Sequence, residues 1–322
     1  MAFDRKRVDK KLRATGDVLH FLLPYYTKST MKIMDRFSSV IFQGKRPISL
    51  KVAYSQINIQ REDETNLRMC VYSSASKKQK SSVAVLWFHG GGYAMSEPEQ
   101  DYNFFKNFIK KHNAVVFAPD YTKSIEKPFP AAFNDARLAL EYVKSNAESY
   151  GVSSDNIFVG GDSAGGGLAL SLALYARDVG DKSIAYVMSI YPMLNHRVTQ
   201  TSKDNKMPIW NTKSNQEAWA LYIGDFDIND SKFKYASPAV EKTFSNLPPV
   251  LTYIGTEDPF YAETVELISN LKSAGVQVDF KIFEGCYHGF DVVCPLAPKS
   301  KEAKKFLLDG FEKALNKLKT KE

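Results

Sequence analysis

The sequence predicts an α/β fold, a mostly parallel central sheet flanked by helices and carrying a helical cap. Two observations lead there. From about residue 83 onward, short β-rich runs alternate with longer stretches of helical periodicity, the rhythm of a helix-covered parallel sheet. Two other stretches, the first fifty residues and roughly 195–235, break that rhythm and read as cap, because a long insertion in a compact domain is rarely idle.

Taken in order, residues 1–50 read as helical with Pro24 as a break, and residues 52–59 and 67–72 as antiparallel strands leading into the core. Residues 83–88, 114–118, 157–159, 185–191, 249–254 and 278–283 follow as sheet strands, each too short for a stable helix. Residues 133–149 carry a helical stripe of Ala136, Leu140, Val143 and Ala147 that ends at Gly151. Residues 164–177 follow a glycine-rich turn, 262–274 end at Gly275, and 300–319 close the chain with Phe306, Leu307, Phe311 and Leu315 facing inward. The division that results is 1–50 and 195–236 for the cap, 51–194 and 237–322 for the core. Trp210, Trp219 and Tyr222 in the second cap segment are expected to pack its own small core.

At 322 residues, with 44% hydrophobic and 25% charged residues, the chain can bury a large core. The net charge of +7 is spread, with concentrations toward both ends, and does not suggest nucleic-acid binding. The basic stretch at residues 4–13 reads as the solvated face of a first helix rather than as contact with an anionic surface. The longest unbroken apolar run, 83–88, is far too short to insert stably in a membrane. No apolar stretch of secretory-signal length follows the basic start, and the cysteine count is odd (Cys70, Cys286, Cys294), so the expectation is a reducing, cytoplasmic setting. Cys286 lies two residues from His288, but no second cluster offers enough ligands for a metal.

The chemistry concentrates in two glycine-rich segments. Gly161-Asp162-Ser163-Ala164-Gly165 stands between a strand and a helix, where a serine on a sharp turn needs small neighbours so that strand and helix can pass closely. A phosphate-binding turn is the competing reading, but no P-loop lysine follows and the dinucleotide spacing is missing. The other segment, His89-Gly90-Gly91-Gly92, directly follows the strand at 83–88, where backbone amides meet a developing oxyanion. Gly90, Gly91 and Ala164 are the candidate donors, and His89 is a structural anchor.

Of five histidines, only His196 and His288 follow Ser163, as the chain order of nucleophile, acid and base requires. His196 lies in the cap segment, so His288, just after the strand at 278–283, is the expected base. The acid belongs after the strand at 249–254, where Asp258 before Pro259 is favoured over Glu257.

With these residues the chain resembles the hormone-sensitive-lipase-like esterases of the α/β-hydrolase fold, which pair an H-G-G-G loop with a G-D-S-A-G-G elbow. The resemblance includes Asp120-Tyr121, 128–132 with Asp135, Ser237-Pro238, 247–249, Asp258-Pro259 and 287–290. It implies Ser163 as nucleophile, His288 as base, Asp258 as acid, Gly90, Gly91 and Ala164 as oxyanion donors, and a cap formed by the two segments that broke the rhythm. Two departures stand out. Thr122 occupies the place of an arginine that usually braces the loop after Asp120-Tyr121, and Ala262 replaces the second aspartate of D-P-L-x-D-E, leaving Glu263.

The reading is a carboxylesterase acting on short- to medium-chain, small-molecule acyl esters through an acyl-enzyme, with no cofactor or metal, and a homodimer left open. The rivals are an amidase or deacetylase with the same triad, a ligand receptor that would have lost a triad member, and a membrane-surface lipase docking through its basic ends.

Overall fold

In the computed structural model, which describes residues 3–76 and 82–320, the first helices are α1 (Arg13–Leu22) and α2 (Lys28–Phe42). They are followed by β1 (Val52–Gln60), β2 (Asn66–Ser74), β3 (Ala84–Phe88), α3 (Tyr102–His112), β4 (Val115–Pro119), α4 (Ala131–Asn146), β5 (Ile157–Asp162) and α5 (Ala164–Asp178). The remainder is β6 (Ile184–Ile190), α6 (Thr212–Ile223), β7 (Val250–Gly255), α7 (Tyr261–Ser273), β8 (Val278–Phe283), the single turn α8 (Phe290–Val293) and α9 (Pro298–Lys319). Every strand expected from the sequence is present, with edges shifted by a residue or a few.

The strands form one eight-stranded sheet in the order β1-β2-β4-β3-β5-β6-β7-β8. The β1–β2 and β2–β4 pairings are antiparallel and all others parallel. The order has a physical consequence for the site. From β3 the chain crosses to β4 on one side, then returns past β3 to β5 on the other, so connections leave the carboxyl ends of β3 and β5 in opposite directions. Such a reversal opens a crevice at those strand ends, and both glycine-rich segments lie there.

The inner strands are buried on both faces, as a helix-covered parallel sheet demands, with β3, β4, β5 and β7 buried throughout. The helix α3 meets α9 through Phe108 and Phe311, whose rings stack 4.1 Å apart. Such a pair adds about 0.5–1.5 kcal/mol beyond area burial. The helix α5 packs on β5 and β6 and against α4.

The opening stretch departs from expectation. Residues 4–12 form turns, and α1 begins only at Arg13. The carboxylates of Asp4 and Asp9 accept the amides two residues on, Lys6 at 3.0 Å and Lys11 at 2.9 Å, which offers the backbone a local alternative to the helix. Val8 and Leu12 are buried, and the Asp9 amide donates to the Gly285 carbonyl at 2.8 Å, so this stretch is fixed to the core rather than solvated throughout.

The two segments that broke the βα rhythm pack against each other. Around Pro24, Asn211 Nδ2 donates to the Pro24 carbonyl (2.6 Å), the Tyr26 amide to Ser214 Oγ (2.9 Å) and the Lys28 amide to Glu217 Oε1 (2.8 Å). Thr27 and Thr30 cap the start of α2 reciprocally. The insertion's aromatics do more than fill a core of their own. Tyr222 stacks on Tyr93 at 3.6 Å, directly after the Gly90–Gly92 loop, and Trp210 comes within 6.3 Å of the His288 ring.

Candidate active site

Ser163 stands at the joint between β5 and α5 with φ +55° and ψ −119°, a region that β-carbon sterics disfavour and that costs on the order of 1–3 kcal/mol unless the surroundings impose it. Here they do. Its amide donates to the Ile190 carbonyl (2.9 Å), and its carbonyl accepts the amides of Gly167 and Met193 (both 3.0 Å), tying the turn to β6 and α5. The crossing is tight: a β-carbon on Gly165 would lie 2.0 Å from the Phe88 carbonyl oxygen, so only glycine lets α5 start this close to β3.

His288 follows β8 and points both ring nitrogens at partners. Nε2 lies 2.8 Å from Ser163 Oγ and Nδ1 2.7 Å from Asp258 Oδ2. The other Asp258 oxygen accepts the Phe260 amide at 2.9 Å, just ahead of α7, which fixes the carboxylate plane. Tyr191 and Phe260 approach the imidazole edge-to-face, each with ring centroids 5.0 Å away, and all three triad side chains are buried. Ser163, Asp258 and His288 are thus brought together by the ends of β5, β7 and β8. Glu257 is not part of this chain of hydrogen bonds; it pairs with Arg7 at 2.9 Å.

His89 serves the loop. Nδ1 contacts the Gly90 carbonyl at 2.7 Å, the ring stacks on Tyr121 at 4.2 Å, and burial pushes the imidazole down to about 4, so it is neutral at pH 7. His196 bonds Ser237 Oγ through Nδ1 at 3.0 Å. Cys286 is buried, and burial pushes its thiol up to about 12, which keeps the nucleophilic thiolate out at neutral pH.

Ala164 occupies the first position of α5, where an amide has no acceptor within the helix. Gly91, with φ +112°, has its carbonyl held by the Ala94 and Met95 amides, which fixes the peptide unit around it. Gly90 packs against the Asp162 carboxylate: a β-carbon there would lie 2.6 Å from Asp162 Oδ2. Gly92 closes on the insertion, since a β-carbon there would lie 2.4 Å from the Trp210 ring.

Several supports lie beyond what the sequence indicated. The bracing arginine missing from the loop after Asp120-Tyr121 is replaced from elsewhere in the chain: Arg61, just past β1, bonds Asp135 through Nε (2.6 Å) and Nη2 (2.9 Å) and reaches Thr122 Oγ1 at 3.2 Å. Glu263 receives the amides of Leu194 (2.7 Å) and Asn195 (3.2 Å), anchoring the start of the insertion, and burial pushes its carboxyl well above the usual range. Behind the elbow lie three buried carboxyls. Asp101 accepts from Trp87 Nε1 (2.9 Å), Asp291 from the Tyr253 hydroxyl (2.7 Å), and Asp162 is pushed up to about 6 by burial and by Asp291.

A family model described by the alpha/beta hydrolase fold matches residues 85–292. Esterase LipI of Mycobacterium tuberculosis is 28% identical over 227 residues, spanning 70% of this chain and 71% of its own. A bacterial heroin esterase superposes with a TM-score of 0.86 at 25% identity, covering 96% of this chain and 98% of that one. Brefeldin A esterase, described as a bacterial homologue of human hormone-sensitive lipase, shares the fold at 19% identity with a TM-score of 0.81, over 97% and 94% of the two chains.

Proposed function

The chain belongs to the alpha/beta hydrolase fold family, and we propose that it is a serine carboxylesterase cleaving short- to medium-chain acyl esters of small molecules. The observation that carries this is the hydrogen-bonded line from Asp258 through His288 to Ser163, at 2.7 and 2.8 Å. The esterase names of its relatives agree with it.

In this reading Ser163 Oγ attacks the ester carbonyl while His288 Nε2 takes its proton, and Asp258 holds the imidazole in the required tautomer and stabilises its cation. The tetrahedral oxyanion is received by the amides of Gly90, Gly91 and Ala164. A fixed donor of this kind contributes about 3–4 kcal/mol in comparable sites. The intermediate collapses, His288 returns the proton to the departing alcohol, and an acyl-Ser163 ester remains. Water then attacks the acyl carbon, giving its proton to His288, and the acid leaves as Ser163 recovers its hydrogen. Apart from the attacking water, these steps draw on side chains and backbone amides of the chain.

We assign residues 1–50 and 195–236 to a cap over this site and 51–194 with 237–322 to the catalytic core. The hydrogen bonds around Pro24 and the Trp210–His288 approach support that division. The three cysteines are unpaired and buried, in keeping with a cytoplasmic setting. Replacing Ser163 with Ala tests the proposal: turnover of p-nitrophenyl acetate is expected to vanish while the thermal unfolding profile stays intact. Undiminished turnover would remove Ser163 from the mechanism.

A further inference from the structure

The first two helices leave an apolar face bare. On α1, Val18, Phe21 and Leu22 are exposed at helical spacing, and on α2 Ile33, Phe37 and Val40 form a second exposed stripe, with Phe21 85% and Val40 73% exposed. Ile48 and Leu50, just beyond α2, are fully exposed as well. This is not the side that holds the helices to the protein. The opposite side of α2 buries Met31 and Ser38, with Ser38 Oγ donating to Gln100 Oε1 at 2.9 Å, and α1 rests on Tyr287 and Pro208 through Gly16. Exposed apolar stripes of this kind mark an interaction site.

Charge identifies the partner. Against the expectation of a spread charge, residues 1–51 contain twelve Lys and Arg against four Asp and no Glu, an excess of eight in a chain whose total is +7. Three of the four aspartates are paired with cations, Asp17 with Arg5 and Asp35 with Lys123, both at 2.8 Å, and Asp9 with Lys299 at 3.1 Å. Lys28, Lys32 and Arg36 recur every fourth residue and form a basic row along α2, on the flank between its buried side and its apolar stripe. Lys45, Arg46 and Lys51 extend the rim, and none of these six side chains has an ion-pair partner among the described residues.

We propose that the outer face of α1 and α2 docks on an anionic phospholipid surface, the apolar stripes entering the headgroup boundary and the basic rim meeting the phosphates. Apolar stripes edged by Lys and Arg are the pattern of helices that lie in such an interface. A second copy of this chain fits the face less well, because a two-fold contact would set one basic row against the other. No helix among the described residues is long and apolar enough to cross a membrane, so the contact is peripheral. Resting on the esterase reading, one consequence follows: Gly16 of α1 lies against Tyr287, next to His288, so docking brings the site close to esters dissolved in the lipid layer.

The test is sedimentation of the full chain with vesicles of phosphatidylcholine alone, or with about a third phosphatidylserine. Binding is expected only to the anionic vesicles, with release at about 1 M salt, where screening shortens to about 3 Å. Phe37→Ser with Val40→Ser, and separately Lys32→Glu with Arg36→Glu, are each expected to weaken binding about tenfold or more. Both variants are expected to keep full turnover of dissolved p-nitrophenyl acetate, which verifies folding, and Ser163→Ala is expected to bind vesicles like the parent. A parent chain that stays in the supernatant with both vesicle types, or variants that sediment like the parent, would overturn the proposal. A concentration-dependent dimer that these substitutions dissolve, without vesicle binding, would also overturn it and assign the face to a second copy. Since binding is read in a chain lacking Ser163, its failure and a failure of the esterase reading are separable.

Discussion

Replacing Gly165 with Ala probes the joint on which the site is built. The added β-carbon would lie 2.0 Å from the Phe88 carbonyl oxygen and 2.6 Å from both the Phe88 carbonyl carbon and the His89 oxygen. Non-bonded contacts settle near about 3.5 Å, so the start of α5 or the end of β3 has to retreat by about 1 Å or more. Both carry reacting groups: Ser163 and Ala164 begin α5, and the Gly90–Gly92 loop leaves β3. A displacement of about 1 Å is expected to lower kcat/KM about a hundredfold. Overpacking costs about 1–3 kcal/mol, and alanine's better helix propensity returns up to about 1 kcal/mol, so the net stability loss is roughly 1–2 kcal/mol. Activity should therefore suffer more than folding. The assay is p-nitrophenyl acetate kinetics beside a urea melt, with Gly275→Ala as a reference. That position has φ +76° and open space around its β-carbon, so it should lose about 1 kcal/mol by backbone strain and leave kcat/KM unchanged. If Gly165→Ala keeps kcat/KM within about twofold, the close crossing is not what positions the site.

Two further predictions concern the supports. Arg61→Ala leaves the buried Asp135 carboxylate with only its Thr122 partners and is expected to cost about 3 kcal/mol in a urea melt; a loss under about 0.5 kcal/mol would mean that the guanidinium does not brace this loop. Asp162 holds its proton in the folded chain up to about 6, against an ordinary value of 3.8. Its contribution to stability is therefore complete below 3.8 and declines as pH rises through about 6. Asp162→Asn should match the parent near the low end of that window and exceed it by roughly 3 kcal/mol at neutral pH. A pH-independent difference would contradict the assignment.

What the sequence disclosed, and what it withheld, follows from the range of the interactions. Strands announce themselves by runs of β-branched and aromatic residues, and the Ser163 elbow by its glycines, because both are local. The edge of β5 was less legible: Gly160, Gly161 and Asp162 carry no periodicity, yet they pair with β6 as far as Ile190. The turns at residues 4–12 were misread because a lysine-rich stretch looks alike on a helix or on a turn, and only the Asp4 and Asp9 bonds to nearby amides decide. The packing of Gly90 against Asp162 and the bracing of Asp135 by Arg61 join partners more than seventy positions apart that no local pattern links. The aromatic walls of His288 likewise converge from the end of β6, the insertion and the turn before α7.

The most direct measurement is intact-mass and peptide mapping after exposure to diisopropyl fluorophosphate, which phosphorylates a hydroxyl activated by a neighbouring imidazole. One adduct per chain on the peptide containing Ser163 is expected, forming in step with the loss of ester hydrolysis and absent from a chain in which His288 is replaced by Ala. An inactivating adduct on another residue, or hydrolysis that continues with Ser163 fully modified, would contradict the role given to the Asp258, His288 and Ser163 line.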